Sequence, residues 1–429
     1  MNFTAPPARH LLLLCGVGLV MLIAACRTQQ RSIRPLTEME VVRLERSNER
    51  PRRRNCQDRE GYDPAIYSPP MRYVRVNFHF MNHSDSSANY SIKTGTHFAR
   101  DLIAQANSDL SKNASMNLPL GNTTPTYPTQ YRYVLSPAKN NPDGEGIYFH
   151  YDDELYYFIH EGRNRNSTSK KVLEKYCVQP DSVLNVFVMP HHPDSVASKT
   201  YRERQTGIAL GTSIKISGIV EKKGYQPWLF RGLLNHEIGH VLGIHHTWRS
   251  NDGCDDTPRH PNCWHRTKDG SACDSLNSNN VMDYNLNQNA WTPCQLSKIH
   301  RNFANISSKQ RKLLVRNWCD LDTTQNISIR DSVHWSVSRD LAGHLTVESG
   351  GVLKISCRAS FPKDGQITVM PGAELILDEA FLHSDCGGSW AGIKLVEERG
   401  QTVGRVTFIG EPKIHHTTVF APPTKQPGD

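Results

Sequence analysis

Residues 236–246 read HEIGHVLGIHH, which places three imidazoles and a carboxylate at a spacing suited to holding and using a catalytic zinc ion. On an α-helix, positions i and i+4 share a face one turn apart, so His236 and His240 can both aim a nitrogen at one cation. Glu237 follows the first ligand and faces the place where water would bind. Zinc lowers the pKa of such water from about 15.7 to about 7, and a nearby carboxylate can take its proton as it attacks a carbonyl. Gly243 can adopt the left-handed conformation that ends a helix sharply, which would return His246 to the metal as third ligand. Three nitrogen ligands leave a fourth position for water, the pattern of a catalytic site and not a structural one. Five fixed positions arise by chance in a chain of this length about once in 10⁴ sequences, which disfavours an amphipathic helix with ordinary surface histidines. By the same spacing His245 is expected to pack beside the site or to support a ligand.

This helix is expected to begin near Gln226 to Phe230 and to bury Leu233, Leu234, Ile238, Val241 and Leu242 behind the site. Upstream, Tyr73 to Phe80 (YVRVNFHF) alternates valine and aromatics with polar residues, the pattern of a strand. Thr96 to Leu110 carries a helical stripe at Phe98, Leu102, Ile103, Ala106 and Leu110. Further strands are expected at Tyr131–Leu135, Gly146–Tyr151, Val183–Met189 and Ile208–Ile216, so the region reads as mixed α/β.

Downstream, VMDY (Val281 to Tyr284) follows the histidines, and with HExxHxxGxxH it resembles the metzincin signature. In that clan the methionine floors the metal site and a nearby tyrosine leans toward the metal or the reacting carbonyl, roles that fall on Met282 and Tyr284. HTW (His246 to Trp248), CDDTP (Cys254 to Pro258), NNVMDY (Asn279 to Tyr284) and TPCQLSKIHRNF (Thr292 to Phe303) resemble the pappalysin and cytophagalysin metalloendopeptidases. With a weaker match reaching upstream to about Tyr73, the resemblance covers roughly 250 of the 429 residues. It implies an α/β (α+β) metzincin-type catalytic domain, a zinc-dependent endopeptidase often supported by calcium, and an edge strand that pairs with extended substrate. By the resemblance, Asp255, Asp256 and Thr257 lie near a calcium site or the cleft wall; on their own they read as a turn.

The first residues concern location. Arg9 precedes fifteen apolar residues, Leu11 to Ala25, a length suited to a signal-peptide core and short for a membrane span. The run ends IAAC, which resembles a bacterial lipobox with Cys26 as the acylated residue; an ordinary secretory signal is the alternative. Either route takes the chain out of the cytoplasm and permits disulfides. From Arg27 to Arg59 ten arginines face five acidic residues, +5 of the formal +8. Residues 26–60 are therefore expected to be a disordered basic tether or pro-segment attracted to anionic lipid or surface polymer, and the pI of 8.9 is not a nucleic-acid signal. Cleavage after Arg52, Arg53, Arg54 or Arg59 would free the enzyme.

Of the eleven cysteines, Cys15 would be discarded and Cys26 acylated. Cys177, Cys254, Cys263, Cys273, Cys294, Cys319, Cys357 and Cys386 then make eight disulfide partners and leave Cys56 alone. A thiolate is a good zinc ligand, so Cys56 is a candidate latency ligand at the fourth position; a disulfide or a spare thiol are its other readings.

Residues 61–322 form the expected catalytic domain and 323–429 a β-rich region. There, HLTVESGGVLKI (His344 to Ile355) and QITVMPGAELIL (Gln366 to Leu377) align at an offset of 22. Leu345 falls over Ile367, Val347 over Val369, Gly350 over Gly372 and Leu353 over Leu375. Short strands and turn glycines at this period suggest stacked β-solenoid coils, with a weaker third unit from Trp390 to Phe408; a small β-sandwich is the alternative. Two function classes follow. One is a lipid-anchored zinc endopeptidase; the other is a surface adhesin or glycan-binding protein whose metzincin domain is an idle scaffold. Glu237 discriminates, because a scaffold needs no carboxylate beside its ligands.

Overall fold

The computed structural model describes residues 31–45, 56–85, 89–117, 123–162, 164–201, 205–219, 226–248, 252–257, 260, 278–285 and 287–417. The signal segment, Cys26, Cys263 and Cys273 lie outside them. Within them, no helix is long and apolar enough to cross a membrane.

Two strands, β1 (Arg31–Pro35) and β2 (Val41–Leu44), come first and belong to the C-terminal region. The catalytic region is organised on β3 (Arg72–Asn82), whose neighbours are β4 (Tyr131–Leu135), β5 (Ile147–Tyr151) and β6 (Leu184–Val188). The sheet order is β4-β3-β6-β8-β7, with β5 on the far half of β3. All pairings are parallel except the last. Helix α1 (Ile92–Lys112) lays Phe98, Leu102, Ile103, Ala106 and Leu110 on Val74, Val76, Phe78 and Phe80, the alternate residues of β3 that face it. Short helices α2 (Lys171–Tyr176) and α3 (Pro193–Ala197) lie on the connections.

The single strand expected at Ile208–Ile216 is instead an antiparallel hairpin, β7 (Thr206–Leu210) and β8 (Ser213–Ser217). Gly211, at φ +71°, makes its two-residue turn possible, so the apolar run was interrupted by turn chemistry within it. The hairpin leaves β7 at the sheet edge, beside helix α4 (Arg231–Val241). A 3₁₀ turn, Pro227–Phe230, leads into α4, which buries Leu234, Ile238 and Val241 and half-buries Leu233. Helix α5 (Pro293–Ala304) starts at a capping box formed by Thr292 and Gln295, and α6 (Lys309–Lys312) follows it.

The C-terminal strands recur in triplets: β9 (Ile327–Ile329), β10 (Ser332–Trp335), β11 (Arg339–Asp340); β12 (Leu345–Val347), β13 (Val352–Ile355), β14 (Arg358–Ser360); β15 (Ile367–Val369), β16 (Glu374–Asp378), β17 (Phe381–His383); β18 (Ile393–Glu398), β19 (Arg405–Ile409), β20 (Lys413–Ile414). Each member of a triplet pairs in parallel with the same member of the next, which gives three sheets among the described residues. Leu345 pairs with Ile367, Val347 with Val369 and Leu353 with Leu375, the offset of 22 read from the sequence. Gly350 and Gly372, both left-handed, stack at the turn through an N–H to carbonyl bond of 3.3 Å. Inward residues, from Leu345 and Leu353 to Leu375, Leu395 and Phe408, fill one core.

The basic leader departs from the expected disordered tether. β1 pairs antiparallel with β18 and β2 parallel with β19, while Leu36 enters the C-terminal core at 2% exposure. The composition suggested disorder because apolar content is low, but edge pairing uses backbone groups and needs only one buried side chain. Arg34 is held by Glu40 and by Glu397 at 2.6 Å, so part of the positive charge is neutralised locally. β1 and β2 thereby cover the edges of β18 and β19, two of the three strands of the last triplet, which would otherwise present open N–H and C=O rows. Deleting 31–45 is expected to increase concentration-dependent association, measurable by light scattering; an unchanged particle size would contradict the capping role.

The two regions are joined covalently and electrostatically. Disulfides link Cys319 to Cys386 and Cys56 to Cys357, and a third, Cys254–Cys294, lies within the catalytic region. Cys56 is thus not the unpaired cysteine expected, and its sulfur is not available as a latency ligand. The unpaired thiol among the described residues is Cys177, half-buried beside the Ser213 hydroxyl at 3.4 Å, with burial pushing its pKa up. Cleavage after Arg59 would consequently leave the leader attached through Cys56. Cys56→Ser is expected to give no rise in proteolytic rate and a lower thermal midpoint; a several-fold activation would restore the latency reading.

At the interface, Asp340 is 1% exposed in its side chain and accepts from three guanidinium groups. Arg311 lies at 2.6 Å, Arg358 at 2.6 Å and Arg72 at 3.4 Å. Arg311 also reaches Asp385 at 2.7 Å, and Arg72 and Arg311 lie over the Trp318 ring. Arg72 and Arg311 come from the catalytic region, Asp340, Arg358 and Asp385 from the β region.

Candidate metal centre

Helix α4 carries His236 and His240 on one face, and the chain leaves the helix through Leu242 and Gly243. Gly243 adopts φ +96°, and a Cβ there would meet Asn302 Nδ2 at 2.7 Å, so both conformation and space require glycine. The reversal closes with the Ile244 N–H donating to the Gly239 carbonyl at 3.0 Å, and it brings His246 back beside the helix.

The Nε2 atoms of His236, His240 and His246 form a triangle with edges of 3.2, 3.1 and 3.2 Å. Tetrahedral zinc with Zn–N near 2.0–2.1 Å requires N···N separations of about 3.3–3.4 Å, so the donor set fits that ion. The opposite ring nitrogens fix the tautomers: Nδ1–H of His236 donates to the Val281 carbonyl at 2.7 Å and that of His240 to the Ile244 carbonyl at 2.8 Å. Each Nε2 is left as an acceptor, as a metal ligand must be. Burial pushes His236 down to about 3 and lowers His240, which keeps both imidazoles neutral.

Glu237 is 5% exposed and its carboxyl is pushed up to about 8 by burial, against the Ala209 N–H, which donates to it. A cation beside it would act in the opposite direction. The edge strand β7 lies so close that a Cβ on Gly207 would meet Glu237 Oε1 at 2.5 Å. The sequence reading missed Gly207, although a glycine inside a strand is the signal of a close approach.

Beneath the histidines, Met282 is fully buried, and Gly239 on α4 admits it: a Cβ there would meet Met282 Sδ at 2.5 Å. The Tyr284 ring packs against His246 at 5.0 Å and His236 at 5.6 Å between centroids. His245, expected to pack or to support the ligands, is exposed.

Asp283, 1% exposed, was also missed. It accepts from the hydroxyls of Thr247 and Ser278, and the His260 ring lies at 3.2 Å. Thr247 directly follows the third histidine, so Asp283 ties that ligand's segment to the turn carrying Met282. Gln288 donates to the carbonyls of Val281 and Asp283 at 3.2 and 2.7 Å, bracing the same turn. Asp283→Ala is expected to weaken zinc affinity about 10–100-fold, read by competition with a chromogenic chelator. Undiminished affinity would contradict the tie.

The residues expected at a calcium site or cleft wall come from the 252–257 segment, beside the start of α5. Asp256 accepts from the Thr292 hydroxyl at 2.9 Å and the Cys294 N–H at 3.0 Å, pinning the start of α5. The Thr257 hydroxyl donates to Asp252 at 2.9 Å, and Asp255 is exposed. Cys254, Asp256 and Cys294 come within ligand distance of one another, but the two cysteines are bonded together.

Three imidazoles around one point, a buried carboxylate beside them and a mixed α/β sheet edge define a metalloprotease. Residues 223–304, which contain the three histidines and Glu237, match the family model Peptidase_M43, described as pregnancy-associated plasma protein-A, so this segment is similar to the pappalysin-like metalloproteases. Among curated proteins, none matches the chain. Solved structures similar to it include mature mirolysin of Tannerella forsythia in complex with a cleaved peptide, at 17% identity over 58% of this chain and 96% of that one, TM-score 0.42. A promirolysin mutant from the same organism aligns at 16% identity over 59% and 87%, TM-score 0.41.

Proposed function

We propose that this chain is a zinc endopeptidase acting outside the cytoplasm on proteins or peptides. The observation that carries the reading is the near-equilateral Nε2 triangle of His236, His240 and His246 with the buried Glu237 carboxylate beside it. Zinc held there would polarise the scissile carbonyl and activate water. Glu237 accepts the water proton and is held for it by Gly207 and the Ala209 N–H. Strand β7, a sheet edge beside Glu237, offers its free side to an extended peptide, which favours cleavage within a chain and binding through backbone groups. Tyr284, whose ring packs on His236 and His246, would donate to the oxygen that gains charge.

Three disulfides among the described residues suit an oxidising compartment, which supports export through the apolar leader and anchoring at Cys26. The parallel, in-register triplets support a β-solenoid for residues 327–414, with β1 and β2 as its end cap. The reading needs no calcium at Asp256 and Thr257, whose oxygens already have protein partners. Mass spectrometry of casein digests tests it: internal fragments from the earliest times are expected, whereas stepwise loss from one end would replace the endopeptidase with an exopeptidase.

A further inference from the structure

A cavity of about 470 Å³ lies where the first triplet of the β region meets the catalytic region, bounded by Tyr67, Pro69, Pro70, Asn326, Trp335 and Arg339 among others. Its chemistry centres on Arg339. The guanidinium carbon stands 4.7 Å from the centroid of Tyr67 and 4.9 Å from that of Trp335, and both rings are buried. Arg339 Nε is buried with no hydrogen-bond partner, and no carboxylate among the described residues forms an ion pair with this side chain.

The strand explains the missing partner. Arg339 and Asp340 are successive residues of β11, so their side chains leave on opposite faces, and Asp340 holds Arg72, Arg311 and Arg358 instead. The guanidinium groups of Arg72, Arg311, Arg316 and Arg358 already outnumber the two carboxylates they share, Asp340 and Asp385, and Arg339 pairs with neither. A desolvated cation in positive surroundings favours an added anion. With ring faces beside it, a guanidinium offers its N–H edge, which matches a planar, singly charged oxyanion; a doubly charged phosphate would find this one cation among Ser68, Asn326, Ser328 and apolar groups, with Asp340 already held by its own arginines.

We propose that this cavity is a binding site for a carboxylate ligand, held edge-on by Arg339 between Tyr67 and Trp335. The ligand is a small organic acid, supplied either as a sugar acid or as the free C-terminus of a peptide. The site is separate from the histidine centre and does not rest on the protease reading.

Calorimetry on the full chain tests it, with glucuronate, N-acetylphenylalanine, the amide of the latter and inorganic phosphate as probes. Saturable binding of at least one carboxylate below about 10 mM is expected, with no binding of the amide. Glucuronate alone would mark a sugar acid, and N-acetylphenylalanine alone a peptide terminus. Arg339→Met should weaken binding at least about tenfold, and Ser328→Trp, at the exposed rim, should do the same by filling the cavity. Binding at the zinc would be indifferent to both substitutions. No saturable carboxylate binding, equal binding in both variants, or preference for phosphate would overturn the proposal.

Discussion

Glu237→Gln is expected to lower kcat on a casein substrate by about 10²–10⁴-fold while leaving stoichiometric zinc and the thermal midpoint nearly unchanged. The amide is the same size as the carboxylate, so packing against Gly207 survives, but an amide cannot accept the proton. The three histidines and their carbonyl partners are untouched, which is why zinc should remain. Loss of activity together with zinc would mean that Glu237 acts through the ligands; retention of activity would remove it from the chemistry. Because Glu237 is buried and beside the metal ligands, its role is better read from this substitution than from a pH profile.

Asp340→Asn is expected to destabilise the whole molecule by about 3–5 kcal/mol, since it strips the counter-charge from buried arginines. The thermal midpoint should fall by roughly 5 °C. Three guanidinium groups hold the Asp340 carboxyl far below the usual carboxylate range despite its burial. A carboxylate depressed on folding contributes stability that is present above its unfolded pKa of about 3.9 and is lost as pH falls toward the folded value. The native chain should therefore lose stability steeply below about pH 4, and the variant should lose much of that acid dependence. Denaturant titrations of both proteins at pH 7 and pH 3 check this; equal midpoints at pH 7 would show that the cluster is not a stabilising lock. The same geometry predicts that a chain ending at Asp322 will not fold well. It would lose Asp340 and Asp385 and leave Cys319 without Cys386.

The three histidines were legible because metal binding demands fixed residue types at helical spacing, and the turn after them demands a glycine. The repeat at 22 residues was legible for a similar reason: parallel strands in register place like residues over like. What supports the site was harder to read. Gly207 meets Glu237 only because a hairpin folds β7 against α4, and the turn at Gly211 was taken as part of a continuous strand. Asp283 gave no signal beyond its place between Met282 and Tyr284. The Cys56–Cys357 bond joins residues 301 apart, and no local pattern encodes such a pairing. The leader strands were hidden by composition, because arginines exposed along an edge strand resemble arginines in a disordered tether.

The most direct measurement is casein cleavage by the full chain after zinc is removed with a chelator and then restored at one equivalent. Loss of cleavage on removal and recovery on restoration, with Glu237→Gln inactive throughout, is the result predicted here. Cleavage that persists without metal, or a fully zinc-loaded chain that cuts no unfolded protein, would contradict the assignment of His236, His240, His246 and Glu237 as a proteolytic centre.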